Sequence, residues 1–126
     1  MYEKKQVVTG NAPSPAGPYS QAVDFGDYIF VAGQRPMDPV TGEIKQEIKA
    51  ATEQCIKNVQ AILKEAGADL EDIGKTTVFL ADIKDFAAMN EVYTAMMPKP
   101  FPARSTIQVV LRGIPIEIEA IAKRKK

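Results

Sequence analysis

Histidine is absent from this chain. Its absence excludes His-based catalytic triads, imidazole metal ligands and the side chain that ordinarily serves as general base near neutral pH. A single cysteine, Cys55, excludes an intrachain disulfide and a thiolate metal cluster. Net charge is missing too, since Lys+Arg and Asp+Glu both total 16. A protein that neutralises many phosphates usually carries a basic excess, so neutrality argues against a nucleic-acid partner. It also leaves little repulsion to oppose self-association. No run approaches the roughly 20 apolar residues of a membrane span, and Met1–Gly10 holds no apolar core of signal-peptide length. A cytoplasmic, soluble protein without a membrane partner is expected. There is no P-loop, dinucleotide fingerprint, metal-ligand spacing or internal repeat. Chemistry is left to carboxylates, Arg, Lys, Tyr, hydroxyls, backbone groups and water.

What is present suits one compact unit. At ~150 residues per domain, the 126 residues predict a single domain spanning 1–126. Surface scaling has about two-thirds of the chain's surface buried on folding, enough for a core without disulfides or metals. Apolar residues at 45% and charged residues at 25% are ordinary for a globular protein.

The patterning predicts a mixed α+β fold. Gly10–Pro18, with three prolines and two glycines, reads as loop. Ser20–Phe25 and Tyr28–Gly33 read as strands joined through Gly26-Asp27, a hairpin signal with Gly first. Arg35–Gly42 reads as an irregular turn. From Glu47 to Ala66, the residues Ile48, Ala51, Cys55, Val59, Ile62 and Ala66 form one helical face, with Gly67 as stop signal. Lys75–Ala81 reads as a mostly buried strand. A second helix, capped by Asp82 or Asp85 and ended by Pro98-Lys99-Pro100, carries Phe86, Met89, Tyr93 and Met96 on its face.

Arg104–Leu111 reads as a strand. Ile116–Ala122 alternates, with Ile116, Ile118, Ala120 and Ala122 on one face and Glu117, Glu119 and Ile121 on the other. Lys123–Lys126 reads as a frayed tail. The order is strand, hairpin, helix, strand, helix, strand, strand. Two helices cannot cover both faces of such a sheet, so both are expected on one side. The bare face is expected to find a partner by oligomerisation.

Several residues are candidates for chemistry, each with a plainer reading beside it. Arg104, at a strand start, offers a planar fork suited to bidentate capture of a carboxylate, or else makes an ordinary surface ion pair. Glu119 either manages water and protons in a dry site or simply meets solvent. Tyr19 either walls a pocket or packs as an aromatic. Gly33 either admits a close approach of ligand or backbone or serves a tight turn. Asn90 is a pocket contact or an exposed helix residue. Cys55 lies on the apolar stripe and reads as core.

Together these segments resemble the RidA/YjgF family of reactive enamine/imine deaminases across almost the whole chain. The matching stretches are PAGPYSQAV (Pro15–Val23), Gly33-Gln34 followed by Pro36, DPVTG (Asp38–Gly42), FPARS (Phe101–Ser105) and IEIEAIA (Ile116–Ala122). The resemblance implies a chorismate-mutase-like α+β subunit, a mixed sheet with two helices on one face, assembled as a homotrimer with clefts between subunits. It implies hydrolysis of 2-imino acids, such as 2-iminobutanoate and 2-iminopropanoate, to 2-oxo acids and ammonia. No cofactor or metal is implied, and the imines would come from pyridoxal-phosphate-dependent dehydratases. Residue by residue, Arg104 matches the carboxylate-binding arginine and Glu119 the acidic residue that holds water or shuttles the proton. Tyr19, Gly33 and Asn90 match cleft positions, and Thr106 stands where many deaminases have Cys.

Two further departures bear on activity. Ala32 replaces a common Ser before the Gly-Gln pair, removing a cleft hydroxyl. Arg35 stands where relatives are often apolar and adds a cation near the cleft. Arg104 also suits a non-catalytic regulator that binds a 2-oxo acid or similar small carboxylate in the same cleft, a reading to which Ala32 lends weight. RNA cleavage or translation inhibition, ascribed to some relatives, ranks last on charge and on an aromatic content of 7%.

Overall fold

A computed structural model describes residues 3–125. Six strands form one sheet in the order β1-β2-β3-β6-β4-β5. In chain order the elements are β1 (Lys5–Val7), β2 (Ala22–Asp24), β3 (Tyr28–Gln34), α1 (Ile48–Glu65), β4 (Ile73–Leu80), α2 (Phe86–Met96), β5 (Ala103–Gln108) and β6 (Ile116–Lys123). Short 3-10 turns at Leu70–Asp72 and Ile83–Asp85 precede β4 and α2. Every pairing is antiparallel except β4 with β5. A parallel pair needs a crossover, and α2 supplies it.

The hairpin forms where Gly26-Asp27 predicts it. Gly26 takes φ +95°, and Phe25 N–H donates to Tyr28 O at 2.9 Å. A left-handed first turn residue matches the twist of the flanking strands, which is why glycine is needed there. α1 buries Ala51, Cys55, Ile56, Val59, Ile62 and Leu63 against the sheet. Burial of each large side chain in this stripe is worth about 1.5–3 kcal/mol. Ile116, Ile118, Ala120 and Ala122 of β6 are buried on the helix side, as their alternation predicts. Asn58, buried on α1, donates to Arg35 O and Met37 O and pins the turn after β3 to the helix. Gln21 similarly donates to Thr9 O, Ala12 O and Pro13 O, which ties down the proline-rich loop.

Both helices pack on one face, and the other remains open. Tyr28, Phe30 and Ile121 are exposed there, with Phe25 set edge-on against Phe30 at 5.7 Å. Phe30 pairs with Ile121 across the strands, so the apolar patch is continuous.

Several boundaries differ from the sequence reading. β4 begins at Ile73, and β5 ends at Gln108, because Val109 N–H is the last to reach Leu80 O and Val110 turns fully outward. Asp82 caps the 3-10 turn through Lys84 N–H, whereas Asp85 makes no side-chain cap to α2. The basic tail does not fray from Lys123. β6 runs through that residue, and Arg124 donates to Gly26 O at 2.9 Å and also bonds Ala66 O and the Asp24 carboxylate. Lys126 lies outside the described residues.

Candidate functional site

Arg104 owes its position to β5. In the parallel register, Arg104 stands opposite Thr76 on β4, and both side chains face the helices. α2 presents Phe86, Met89 and Tyr93 to that same spot. The Arg104 guanidinium carbon lies 4.7 Å from the Tyr93 ring centroid and 5.5 Å from that of Phe86. One terminal nitrogen of Arg104 is 3.9 Å from Met89 Sδ. Among the described residues, no carboxylate lies within ion-pair distance of Arg104. Among the described residues, Arg104 thus makes no ordinary surface ion pair. Arg104 opens instead into a cavity of about 340 Å³ that it shares with Asn90, Tyr93, Thr94, Phe101 and Pro102. A half-buried cation with an unspent planar fork beside an amide has the geometry to accept a small carboxylate.

Thr106 follows two positions later on the same face of β5. Its Oγ1 is buried and has no hydrogen-bond partner among the described residues. Such a group costs free energy unless something outside the chain satisfies it.

Glu119 sits elsewhere. It pairs with Thr77, which faces away from the helices, and lines a recess of about 70 Å³ with Lys75, Thr77 and Ile121. Arg104 and Glu119 therefore point from opposite faces of the sheet. Their strands are two spacings apart, roughly 10 Å. One chain does not bring them together on one small molecule.

Gly33 lies over this open face, and its close neighbour is a side chain of the protein itself. A Cβ placed on Gly33 would stand 2.5 Å from Glu117 Oε2 and 2.8 Å from its Cδ. Glu117 thus occupies the space that the missing side chain leaves, beside an irregularity in the β3–β6 ladder between Val31 and Gln34. Burial pushes the Glu117 carboxyl above its ordinary range, the neighbouring Glu119 adds to this, and Arg35 opposes it. Tyr19 is exposed in the proline-rich loop, where its Oη accepts from Ala16 N–H at 3.0 Å. The Cys55 Sγ–H points to Ile116 O, and burial drives the thiol well above its usual range, which fits core rather than nucleophile.

The chain thus assembles Arg104, Asn90 and Thr106 on one face and Gly33 and Glu119 on the other, with Tyr19 on a separate loop. Sequence reasoning placed Phe86, Met89 and Tyr93 on an apolar helix face but not against Arg104. Only the β4–β5 register reveals that contact. No cluster of three or more metal-ligating side chains exists among the described residues. Nor is any helix there long and apolar enough to cross a membrane.

The family described as Endoribonuclease L-PSP matches residues 9–124. A RutC family protein of Pyrococcus abyssi is 50% identical over 125 residues, covering 97% of this chain and 98% of the relative. A 2-iminobutanoate/2-iminopropanoate deaminase of Escherichia coli is 44% identical over 126 residues, covering 96% and 98%. The crystal structure of Escherichia coli TdcF with bound serine superposes with a TM-score of 0.91 at 41% identity, covering 97% of this chain and 100% of that one.

Proposed function

The chain belongs to the RidA/YjgF family, matched as Endoribonuclease L-PSP, and from that membership we propose that it hydrolyses reactive 2-imino acids and their enamine tautomers to 2-oxo acids and ammonia. The observation that carries the reading is Arg104: half-buried, free of any carboxylate among the described residues, and open to a cavity beside Asn90. The deaminase name carried by a relative 44% identical over nearly the whole chain supports the same reaction. 2-Iminobutanoate and 2-iminopropanoate are the proposed substrates, supplied by pyridoxal-phosphate-dependent dehydratases.

In this scheme the Arg104 fork holds the substrate carboxylate and so fixes the imine carbon beside it. A protonated imine is already electrophilic, so little beyond positioning and proton management is required. Glu119 takes a proton as water adds to the imine carbon, forming a carbinolamine. It returns that proton to the amine nitrogen, the C–N bond breaks and ammonia leaves, while the hydroxyl proton passes back to Glu119 as the carbonyl forms and is then taken up by ammonia or water. No histidine, metal or cofactor enters these steps.

Because Arg104 and Glu119 face opposite ways in one chain, a complete site takes each from a different copy. The open face carrying Tyr28, Phe30 and Ile121 supplies apolar area for that assembly, and the assembly we propose is a homotrimer with sites between subunits. Gly33 and Tyr19 join the site from the neighbouring copy, and Thr106 offers its hydroxyl beside Arg104.

Ala32, which leaves no hydroxyl before Gly33, favours a second reading: a regulator that holds a 2-oxo acid without turnover. One experiment separates the two. Decay of freshly generated 2-iminobutanoate, made by a threonine dehydratase and trapped with semicarbazide, is followed with wild type and Arg104→Ala. Acceleration by wild type that vanishes in the variant is expected. No acceleration by a folded oligomer that still binds 2-oxobutanoate overturns the enzyme and leaves the regulator.

A further inference from the structure

We infer that Phe86 and Tyr93 act as an aromatic clamp that positions Arg104 for a carboxylate, with Thr76 holding the Tyr93 ring in place. The inference rests on the proposed carboxylate site for its ligand, but the clamp itself stands on geometry in the free chain.

The three α2 residues share one stripe, at positions i, i+3 and i+7 from Phe86. Tyr93 is buried, and its Oη is 2.7 Å from the Oγ1 of Thr76, which is itself fully buried. This bond crosses from α2 to β4 and leaves the ring little freedom to turn. Thr76 is also the residue that stands beside Arg104 in the sheet. The threonine that holds the ring is thus the cross-strand neighbour of the cation itself.

What holds Arg104 determines what Arg104 can still do. A bidentate carboxylate partner would occupy one edge of the fork and offset the charge that a carboxylate ligand needs. Aromatic faces attract the cation through the ring quadrupole and leave the planar fork unspent. Met89 Sδ takes at most one donor weakly. The clamp thus keeps Arg104 ordered and unpaired at once, which a salt bridge cannot do. An ordered fork avoids the rotamer entropy that a loose arginine loses on binding.

Phe86 carries the test, because it is exposed and its replacement spares the core, unlike that of buried Thr76 or Tyr93. Phe86→Leu keeps apolar bulk and removes the π face, whereas Phe86→Tyr restores the face. The first readout needs no ligand: the Nε–H resonance of Arg104 in isotope-labelled protein. Ring currents displace it in wild type; it moves toward the unstructured position in Phe86→Leu and returns in Phe86→Tyr. The second is the dissociation constant for 2-oxobutanoate, which rises roughly two- to five-fold in Phe86→Leu and recovers in Phe86→Tyr.

With imine as substrate, KM rises in step while kcat stays level, since carboxylate binding is common to ground and transition states. A merely structural defect would lower the active fraction and so depress kcat instead. A resonance unmoved in Phe86→Leu overturns the clamp. So does a moved resonance with an unchanged dissociation constant, since the ring would then touch Arg104 without positioning it. If wild type binds 2-oxobutanoate but turns over no imine, the deaminase reading fails while these two readouts still decide the clamp. If it binds no 2-oxobutanoate, the carboxylate site fails with it and the clamp is overturned as a device for that ligand.

Discussion

Gly33→Ala tests the packing of the open face at a single atom. Gly33 is not among the glycines in the left-handed region, so its backbone admits alanine. The obstacle is Glu117, whose Oε2, Cδ and Cγ would lie 2.5, 2.8 and 3.1 Å from the new Cβ. Three consecutive atoms must move, so a small rotation of the carboxylate cannot relieve the contact and the side chain has to swing off the strand. Overpacking of this kind costs about 1–3 kcal/mol. Glu117 is only half-buried and has somewhere to go, which places the expected loss near 1–1.5 kcal/mol.

In urea, with a slope of about 2 kcal/mol/M, the midpoint should fall by roughly 0.5–0.8 M. In a Glu117→Ala background the space is empty. There the same Gly33→Ala change should stabilise by about 0.4–1 kcal/mol, through lost freedom of the unfolded chain. The double-mutant cycle should therefore return a coupling of roughly 1.5–2.5 kcal/mol. All four proteins are unfolded at one protomer concentration, because assembly makes stability concentration-dependent. Additive effects, with coupling under about 0.5 kcal/mol, would show that Glu117 does not fill the space over Gly33.

Two other predictions concern the same faces of the sheet. Burial and Glu119 raise the Glu117 carboxyl above its unfolded value, against Arg35. Its stabilising share is therefore fully present below the unfolded pKa and is lost as pH rises through the folded one. Urea midpoints should show Glu117→Gln gaining on wild type between pH 4 and pH 7, and a constant or shrinking difference would contradict the raised carboxyl. Thr106→Val removes a buried hydroxyl that has no partner among the described residues. The change should leave stability level or slightly higher while weakening 2-oxobutanoate binding, and an unchanged dissociation constant by calorimetry would take Thr106 out of the ligand site.

Features with a local signal were legible in the sequence. Alternation over Ile116–Ala122 identified the buried face of β6 correctly, because a period of two needs no knowledge of neighbours. The α1 stripe and the Gly26-Asp27 turn were legible for the same reason. The expected order includes a strand ahead of the hairpin but no residues for it, because β1 is three residues long, too short for periodicity, and only its pairing with Ala22–Asp24 locates it. Arg124 looked like part of a basic tail because its partners, Gly26, Ala66 and Asp24, lie far away in sequence.

The candidate site suffered most from this limit. Period two places Arg104 and Thr106 together but does not say which face they share; the register with β4 decides that. A close approach to Gly33, or a tight turn, was expected there, and within the chain the close neighbour is the Glu117 side chain on another strand. That Arg104 and Glu119 point to opposite faces likewise follows from the registers of β5 and β6 on β4, which no motif contains.

The location of β6 also governs when this chain can fold. β6 is the last strand in the described chain order, yet it lies between β3 and β4, with Val31 paired to Ala120 across most of the sequence. During synthesis, at about 5–20 residues per second, the β1–β3 ribbon and the β4-α2-β5 unit emerge as two half-sheets. Each presents an unpaired strand edge until Ile116–Lys123 arrives to join them. Such edges are templates for association with other chains. Pairing over so long a separation also makes closure slow relative to helix formation. The interval before β6 docks is therefore when a newly made chain is most exposed to aggregation, and a chain interrupted ahead of Ile116 would carry two open edges at the centre of its sheet.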